Sequence, residues 1–246
     1  MSMASRVGSM ALFAISDLHI GYAINRAAIA QMGHHLDDWL VLAGDIGETV
    51  GQLELAFDLL QPKFRQLIWV PGNHELWSRR EEPDLAGLRK YEALVDACRR
   101  RGVLTPEDPY PLFIGARDTR RLAPIFALYD YSFAPAGIGP ADAVQWAVSQ
   151  GVLCSDEAVL SPAPYPSPAA WCAARCELTE RRLLAVRALD EHPIVLINHF
   201  PIRREHVQLS RYPAFAIWCG TERTREWPKR FGASDVLYRR LGNSRC

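Results

Sequence analysis

The sequence predicts an α/β fold, on three observations. Short apolar runs of strand length alternate with helical patterns through the first third of the chain. Each run is apolar throughout and bounded by Asp, Gly or Pro, as in strands covered on both faces. Residues able to bind cations or move protons then follow the runs, where loops leaving the carboxyl ends of strands build sites in open α/β sheets.

The elements follow in order. MALFAIS at 10–16 predicts a first strand, WLVLAG at 39–44 a second and QLIWVPG at 66–72 a third, with a polar stretch and then LELAFDLL between them, which gives a β-α-β-α-β unit. From 83 to 101 the pattern turns helical, with Leu85, Leu88, Tyr91, Val95 and Cys98 on one stripe and Arg89, Lys90, Glu92 and Asp96 off it. Gly102 ends that helix. Residues 104–125 are rich in proline and charge and read as a loop, and the aromatic FALYDYSF at 126–133 reads as a strand. Prolines at 135, 140, 162, 164, 166 and 168 mark 134–169 as an irregular stretch, a functional loop or cap inserted in one domain spanning 1–246. A helix follows at about 170–190, where Glu177 and Arg181 stand at supportive i,i+4 spacing. PIVLIN at 193–198 and the shorter SDVLY at 234–238 predict two more strands.

Composition narrows the function. The 246 residues are 49% hydrophobic and carry 28 basic and 28 acidic side chains, so no global charge draws the chain to nucleic acid or to an anionic membrane. The N-terminal MSMASRVGSMALFAIS has one Arg and an apolar run too short for a secretory signal or a bilayer span, and the expected location is cytoplasmic. Cys98, Cys154, Cys172, Cys176, Cys219 and Cys246 are scattered without a C-x-x-C pair, which predicts reduced thiols. Cys172 and Cys176 share a helix face and read as packing residues, because two thiols alone do not make a zinc site.

Four short motifs carry the chemistry: Asp17-Leu18-His19, Gly44-Asp45, Gly72-Asn73-His74-Glu75 and Asn198-His199. Each alone is weak, since a D-x-H or a G-D occurs by chance in many proteins. Their shared position after predicted strands, in this order, is what makes them specific. A phosphate ester repels nucleophiles, and two cations about 3.5–4 Å apart can clamp its oxygens and generate hydroxide from water. Carboxylates bridge such pairs, and mixed oxygen and nitrogen donors suit Mn, Fe or Zn better than Ca. Gly44 and Gly72 permit sharp turns that aim the ligands.

The strings FAISDLHIG, VLAGDIGE, WVPGNHELW and LINHFP, spanning residues 13–201, resemble the first four signature motifs of the calcineurin-like metallophosphoesterases. The resemblance implies a four-layer αββα sandwich and metal-dependent hydrolysis of a phosphate ester, with two divalent ions, Mn foremost. It implies Asp17 and His19 on the first ion, Asp45 bridging both, and Asn73 and His199 on the second. It also implies His74 as the acid beside the leaving-group oxygen. GVLTPEDPYP at 102–111, FALYDYSF and WCGTERT at 218–224 are similar to an actinobacterial subgroup that includes an enzyme removing phosphopantetheine from acyl carrier proteins. That narrower likeness implies a phosphodiester substrate and an acyl carrier protein as partner, and Arg223 and Arg225 are candidates to bind phosphate by forked hydrogen bonds.

The pattern then breaks. The family's fifth motif, G-H-x-H, should follow the last strand, but the sequence reads Arg239-Arg240-Leu241-Gly242 and carries no histidine beyond His206. By the resemblance, Arg240 and Gly242 replace one ligand of each ion, and the C-terminal strands are expected to be incomplete. Water or His206 could fill the gaps, or the site could be impaired. Arg239 and Arg240 could instead place positive charge beside a single ion, which like-charge repulsion disfavours. The alternative to an enzyme is an inactive homologue that binds a carrier protein, docking it on Tyr165 and Trp171 and on the arginines between 223 and 240.

Overall fold

The computed structural model describes residues 10–116 and 118–239. Strands β1 (Leu12–Ile15), β2 (His35–Ala43) and β3 (Phe64–Val70) form a parallel sheet in that order. A second sheet runs β4 (Leu112–Ile114), β5 (Thr119–Pro124), β6 (Ile194–Ile197) and β7 (Ala233–Leu237), with β4 antiparallel and the rest parallel. Helices α1 (Ala23–Ala30), α2 (Val50–Leu60) and α3 (Gly87–Arg100) belong to the first half, and α4 (Ala143–Ser149), α5 (Asp156–Val159), α6 (Pro168–Leu189) and α7 (Trp227–Arg230) to the second.

The period-two alternation of the strands sorts their side chains into layers. Val41, Ala43, Ile68 and Val70 of the first sheet pack against Phe113, Leu122, Val195 and Ile197 of the second. The alternate residues Leu40, Leu42, Leu67 and Trp69 share a core with Leu53 and Phe57 of α2 and Tyr91 and Leu94 of α3, while Ile194 and Leu196 share it with Trp171 and Leu183 of α6. The layering is therefore helix, sheet, sheet, helix, and each fully buried Leu or Phe contributes about 1.5–3 kcal/mol. Helix ends follow local chemistry: Thr49 and Ser167 cap α2 and α6 by accepting from the amides of Gln52 and Ala170, both at 3.1 Å. Gly102, at φ 66°, closes α3 with bonds from Gly102 N to Arg99 O and from Val103 N to Cys98 O.

Several expectations need correction. Strand β1 lies at a sheet edge, with Phe13 39% exposed, so it is not covered on both faces. The stretch 104–125 is not all loop: it holds β4 and β5. FALYDYSF is not a strand, because β5 stops at Pro124 and the backbone of Ala127 is bracketed by a side chain in place of a neighbouring strand: its N–H donates to Asn198 Oδ1 at 3.1 Å and its carbonyl accepts from Asn198 Nδ2 at 3.2 Å. Lys90 is fully buried, not on the polar face of α3; its ammonium donates to Glu48 O at 3.0 Å and pairs with Glu82. The stretch 134–169 folds in part, as α4 and α5. No described helix is long and apolar enough to cross a membrane.

Candidate metal centre

The loops after β1 and β2 are laced together before any side chain is considered. Asp17 N donates to Gly44 O, His19 N to Asp45 O and Ile20 N to Ile46 O, at 3.0, 3.0 and 2.8 Å. This lacing holds Asp17, His19 and Asp45 at φ values of 57°, 40° and 55°, in the left-handed region that costs a non-glycine residue about 1–3 kcal/mol. Of the described non-glycine residues, Tyr131 alone shares that region. The glycines answer to crowding as much as to turning: a Cβ on Gly72 would lie 2.2 Å from Asp45 Oδ1, and one on Gly44 2.5 Å from His199 Nδ1.

Glu75 ties the second motif to the third. Its buried carboxylate accepts from Asp45 N and Ile46 N at 2.9 and 2.8 Å and from Gly72 N at 2.9 Å. Burial, then the Asp45 charge, pushes the Glu75 carboxyl up to about 7, against the pull of its backbone donors. The sequence flagged Glu75 only as the end of a string, with no role.

Asp45 is buried at the centre. Its Oδ1 accepts from His74 N at 3.1 Å, and its Oδ2 lies 3.3 Å from His199 Nε2. Burial works against ionisation of Asp45, and the His199 charge and hydrogen bond outweigh it, holding the carboxyl well below its usual range. His199 Nδ1 donates to Ala43 O at 2.8 Å, which turns Nε2 toward Asp45. Burial opposes a charge on His199 too, yet Asp45 raises its pKa. Ligand atoms of His19, Asp45 and His74 all lie within 4.8 Å of one another. Burial lowers the pKa of both His19 and His74 and favours the neutral imidazole that a cation needs.

Asn73 provides the sharpest test of whether these residues fit a metal. Its Nδ2 donates to Asp156 Oδ1 at 2.9 Å, while its Oδ1 is buried without a partner among the described residues. Such an orphan acceptor costs about 1–3 kcal/mol unless something positive meets it. Together with the His19, Asp45 and His74 group, this amide oxygen gives a mixed oxygen and nitrogen donor set that fits a divalent cation of the Mn, Fe or Zn type.

Two residues from the 134–169 segment and the third motif escaped sequence reasoning. Asp156 also accepts from Trp77 Nε1 at 2.6 Å, and Trp77 lies face to face with His74 at 3.7 Å between ring centroids, tilted by 33°. No local pattern marks Asp156, since its partners are far away in sequence. Arg239 enters the cluster itself: Nε lies 2.9 Å from Asp17 Oδ1, and Nη1 lies 3.2 Å from Asp45 Oδ2 and 3.4 Å from His199 Nε2.

The remaining sequence candidates lie elsewhere or are engaged. Arg223 pairs with Asp130 at 3.3 Å, and Arg225 pairs with Glu205 and with Glu222, the latter at 3.2 Å. His206 stacks on Tyr238 and is not grouped with the ligand atoms. Trp171 is buried in the core with Tyr165 stacked on it, which corrects the docking role expected for that pair. Arg240 and Gly242, expected where two ligands are missing, lie outside the described residues.

Comparison with known proteins agrees with this geometry. The profile of the calcineurin-like phosphoesterases matches residues 10–238. The chain is 40% identical over 233 residues to the acyl-carrier-protein phosphodiesterase PptH of Mycobacterium tuberculosis, covering 94% of this chain and 71% of that relative. The crystal structure of phosphopantetheinyl hydrolase (PptH) from Mycobacterium tuberculosis matches with a TM-score of 0.90 at 40% identity, covering 96% of this chain and 84% of that one. With its motifs at the ends of β1, β2, β3 and β6 and its helices outside two facing sheets, the chain belongs to the calcineurin-like phosphoesterase family, hydrolases of phosphoester bonds.

Proposed function

We propose that this protein is a metal-dependent phosphodiesterase that removes phosphopantetheine from acyl carrier protein. The observation that carries the metal-dependent reading is the orphaned Asn73 Oδ1, one residue before His74, whose backbone N–H donates to buried Asp45. The carrier-protein substrate rests on the 40% identity to an acyl-carrier-protein phosphodiesterase over nearly the whole chain.

Asp17, His19, Asp45, Asn73 and His199 would hold divalent ions, Mn first among Mn, Fe and Zn. A bound divalent ion supplies Lewis acidity toward phosphate oxygens and a hydroxide at neutral pH. The chain supplies the rest. Glu75 holds the second and third motifs at a fixed separation through the amides of Asp45, Ile46 and Gly72. His74 sits between Trp77 on its face and Glu48, whose Oε1 is 3.4 Å from Nδ1; with the Nδ1 proton held toward that carboxylate, the ring would have to be doubly protonated to carry a proton on Nε2 for the leaving serine oxygen. Arg223 and Arg225 would reach a substrate phosphate by exchanging their present carboxylate partners. The net charge of zero fits a cytoplasmic enzyme that binds neither nucleic acid nor membrane.

The test is mass analysis of holo acyl carrier protein incubated with the Mn-loaded protein. Conversion to the apo carrier, abolished by chelator, by His74→Ala and by Asp45→Asn, is the expected result. An unchanged carrier mass with metal bound would sink the reading. The position of Arg239 favours a second reading, a homologue that binds the carrier with little turnover. It requires capture of the carrier by the protein in the presence of chelator.

A further inference from the structure

Two segments tethered to the candidate centre meet at a cavity of about 330 Å³, lined by Phe133, Trp146 and Val152 from the stretch after β5 and by Arg204, Arg211 and Tyr212 from the stretch after β6. Small-molecule sites span about 300–1,000 Å³, so this one is sized for a single anchoring side chain. Its surroundings fit a protein partner. Val148, Leu153 and Tyr212, at 48, 77 and 49% exposure, lie among the lining residues or next to them in sequence and give the cavity an apolar rim. The charge around it is of one sign. No carboxylate lines the cavity, none occurs in 143–153 or 206–219, and Glu205, beside Arg204 in sequence, is taken by Arg225. Arg204 and Arg211 are exposed and have no carboxylate partner among the described residues, and the Arg211 guanidinium lies 5.3 Å from the centre of the Tyr212 ring.

We propose that this cavity and its rim are the docking surface for the acyl carrier protein: an apolar side chain of the carrier anchors in the cavity, and carboxylates of that acidic protein pair with Arg204 and Arg211. The pairing supplies orientation, a fast encounter and dependence on salt, and the anchor supplies a desolvated contact. The surface is also close enough to the chemistry. Val152 is four residues from Asp156, which holds Asn73, and Arg204 is five from His199. Chain length alone keeps these pairs within about 14 and about 18 Å. One docked domain about 30 Å across spans such distances.

The inference rests on the carrier-protein substrate proposed above, and reading binding apart from turnover lets the two fail separately. Fluorescently labelled holo acyl carrier protein is titrated with the full chain in chelator, and affinity is read from anisotropy. Wild type should bind more weakly as salt rises. Arg204→Glu/Arg211→Glu should bind about tenfold or more weakly, while Arg204→Lys/Arg211→Lys stays within about threefold of wild type. Arg65→Glu/Arg89→Glu, the same charge change at two exposed positions outside the cavity lining, should also stay within about threefold. Equal affinity in wild type and Arg204→Glu/Arg211→Glu, an equal loss in the Arg65 and Arg89 control, or no binding by wild type would overturn the inference. Conversion of holo to apo carrier by the Mn-loaded wild type would then leave the enzyme reading standing. The expected binding pattern without conversion would uphold the surface and overturn the enzyme reading. Self-association of wild type that Arg204→Glu/Arg211→Glu abolishes, with carrier affinity unchanged, would assign the face to a second copy of the chain and overturn the inference.

Discussion

Asp156 decides which end of the Asn73 amide faces the cluster. By accepting from Nδ2 at 2.9 Å it holds the nitrogen and leaves Oδ1 as the buried atom without a partner among the described residues. Trp77 donates to the same carboxylate oxygen, so one side chain orients both a ligand and the aromatic wall of His74. Burial raises the Asp156 pKa against the pull of these donors, which marks how far the carboxylate depends on them.

Asp156→Ala should therefore weaken Mn binding by roughly 10–100-fold, the usual effect of removing a residue that orients a ligand. The unfolding midpoint of the metal-free protein should fall far less than that of the Mn-loaded one. Calorimetric titration with Mn, paired with thermal scans with and without the ion, checks this; equal Mn affinity in variant and wild type would refute it.

Gly72→Ala tests crowding at the centre. The added Cβ would stand 2.2 Å from Asp45 Oδ1 and 2.6 Å from Asp45 N, and both are held in place. Overpacking of this kind costs about 1–3 kcal/mol, and here it also pushes on a ligand. A lower melting temperature together with weaker Mn binding is expected. Gly51→Ala, where a Cβ meets nothing within 4 Å, should leave Mn affinity unchanged and so serves as the control.

Glu75→Gln replaces an acceptor of three amides with a group that has one oxygen and a competing NH₂. At least one buried N–H loses its partner, at about 1–3 kcal/mol. The loop between β2 and α2 should then open to hydrogen exchange at Asp45 and Ile46, a readout that a change elsewhere in the core would leave untouched.

The pH dependence of stability should show the Glu107 cluster, away from the centre. Glu107 accepts from Tyr91 Oη at 2.7 Å and from Arg175 Nη2 at 2.5 Å. Burial opposes its charge, but Arg175 and these hydrogen bonds prevail and hold its carboxyl below the ordinary value of 4.5. A depressed acid stabilises the fold above its unfolded pKa and loses that stabilisation as pH falls through the folded one. Glu107→Gln should thus cost about 1–2 kcal/mol near pH 7, allowing for partial exposure, and the gap from wild type should narrow below about pH 4.5. Denaturant midpoints from pH 3 to 7 check the trend.

Where local pattern and tertiary structure agree, the sequence could be read. The apolar runs of β2, β3 and β6 and the polar residues following them were visible because a strand end puts its ligands next to it in sequence. Lys90 defeated the helical stripe because its burial depends on Glu82 and on the Glu48 carbonyl, which no periodicity encodes. FALYDYSF misled because aromatic β-propensity cannot register that Asn198 takes the place of a neighbouring strand at Ala127. Asp156 was invisible as a site residue for the same reason: it acts across the fold, on Asn73 and Trp77. The string GVLTPEDPYP, one of three that carried the likeness to the phosphopantetheinyl-hydrolase subgroup, has a structural part that the likeness did not supply: it is a clasp, with Glu107 on Arg175 and Tyr91 and with the Tyr110 carbonyl accepting from Arg121.

The segment between β5 and α6 looks like the exchangeable module of this scaffold, yet α5 ties it to the candidate metal centre through Asp156 and to the C-terminal part of the chain through its neighbour Glu157. Asp156 holds Asn73, and Glu157 accepts from Tyr131 Oη and Trp218 Nε1 at 2.9 and 2.7 Å. A chimera that borrows this module from a relative imports a new grip on the ion along with any new surface. Recognition and chemistry would have to drift together, and inserts lacking an acid at the Asp156 position would arrive already uncoupled.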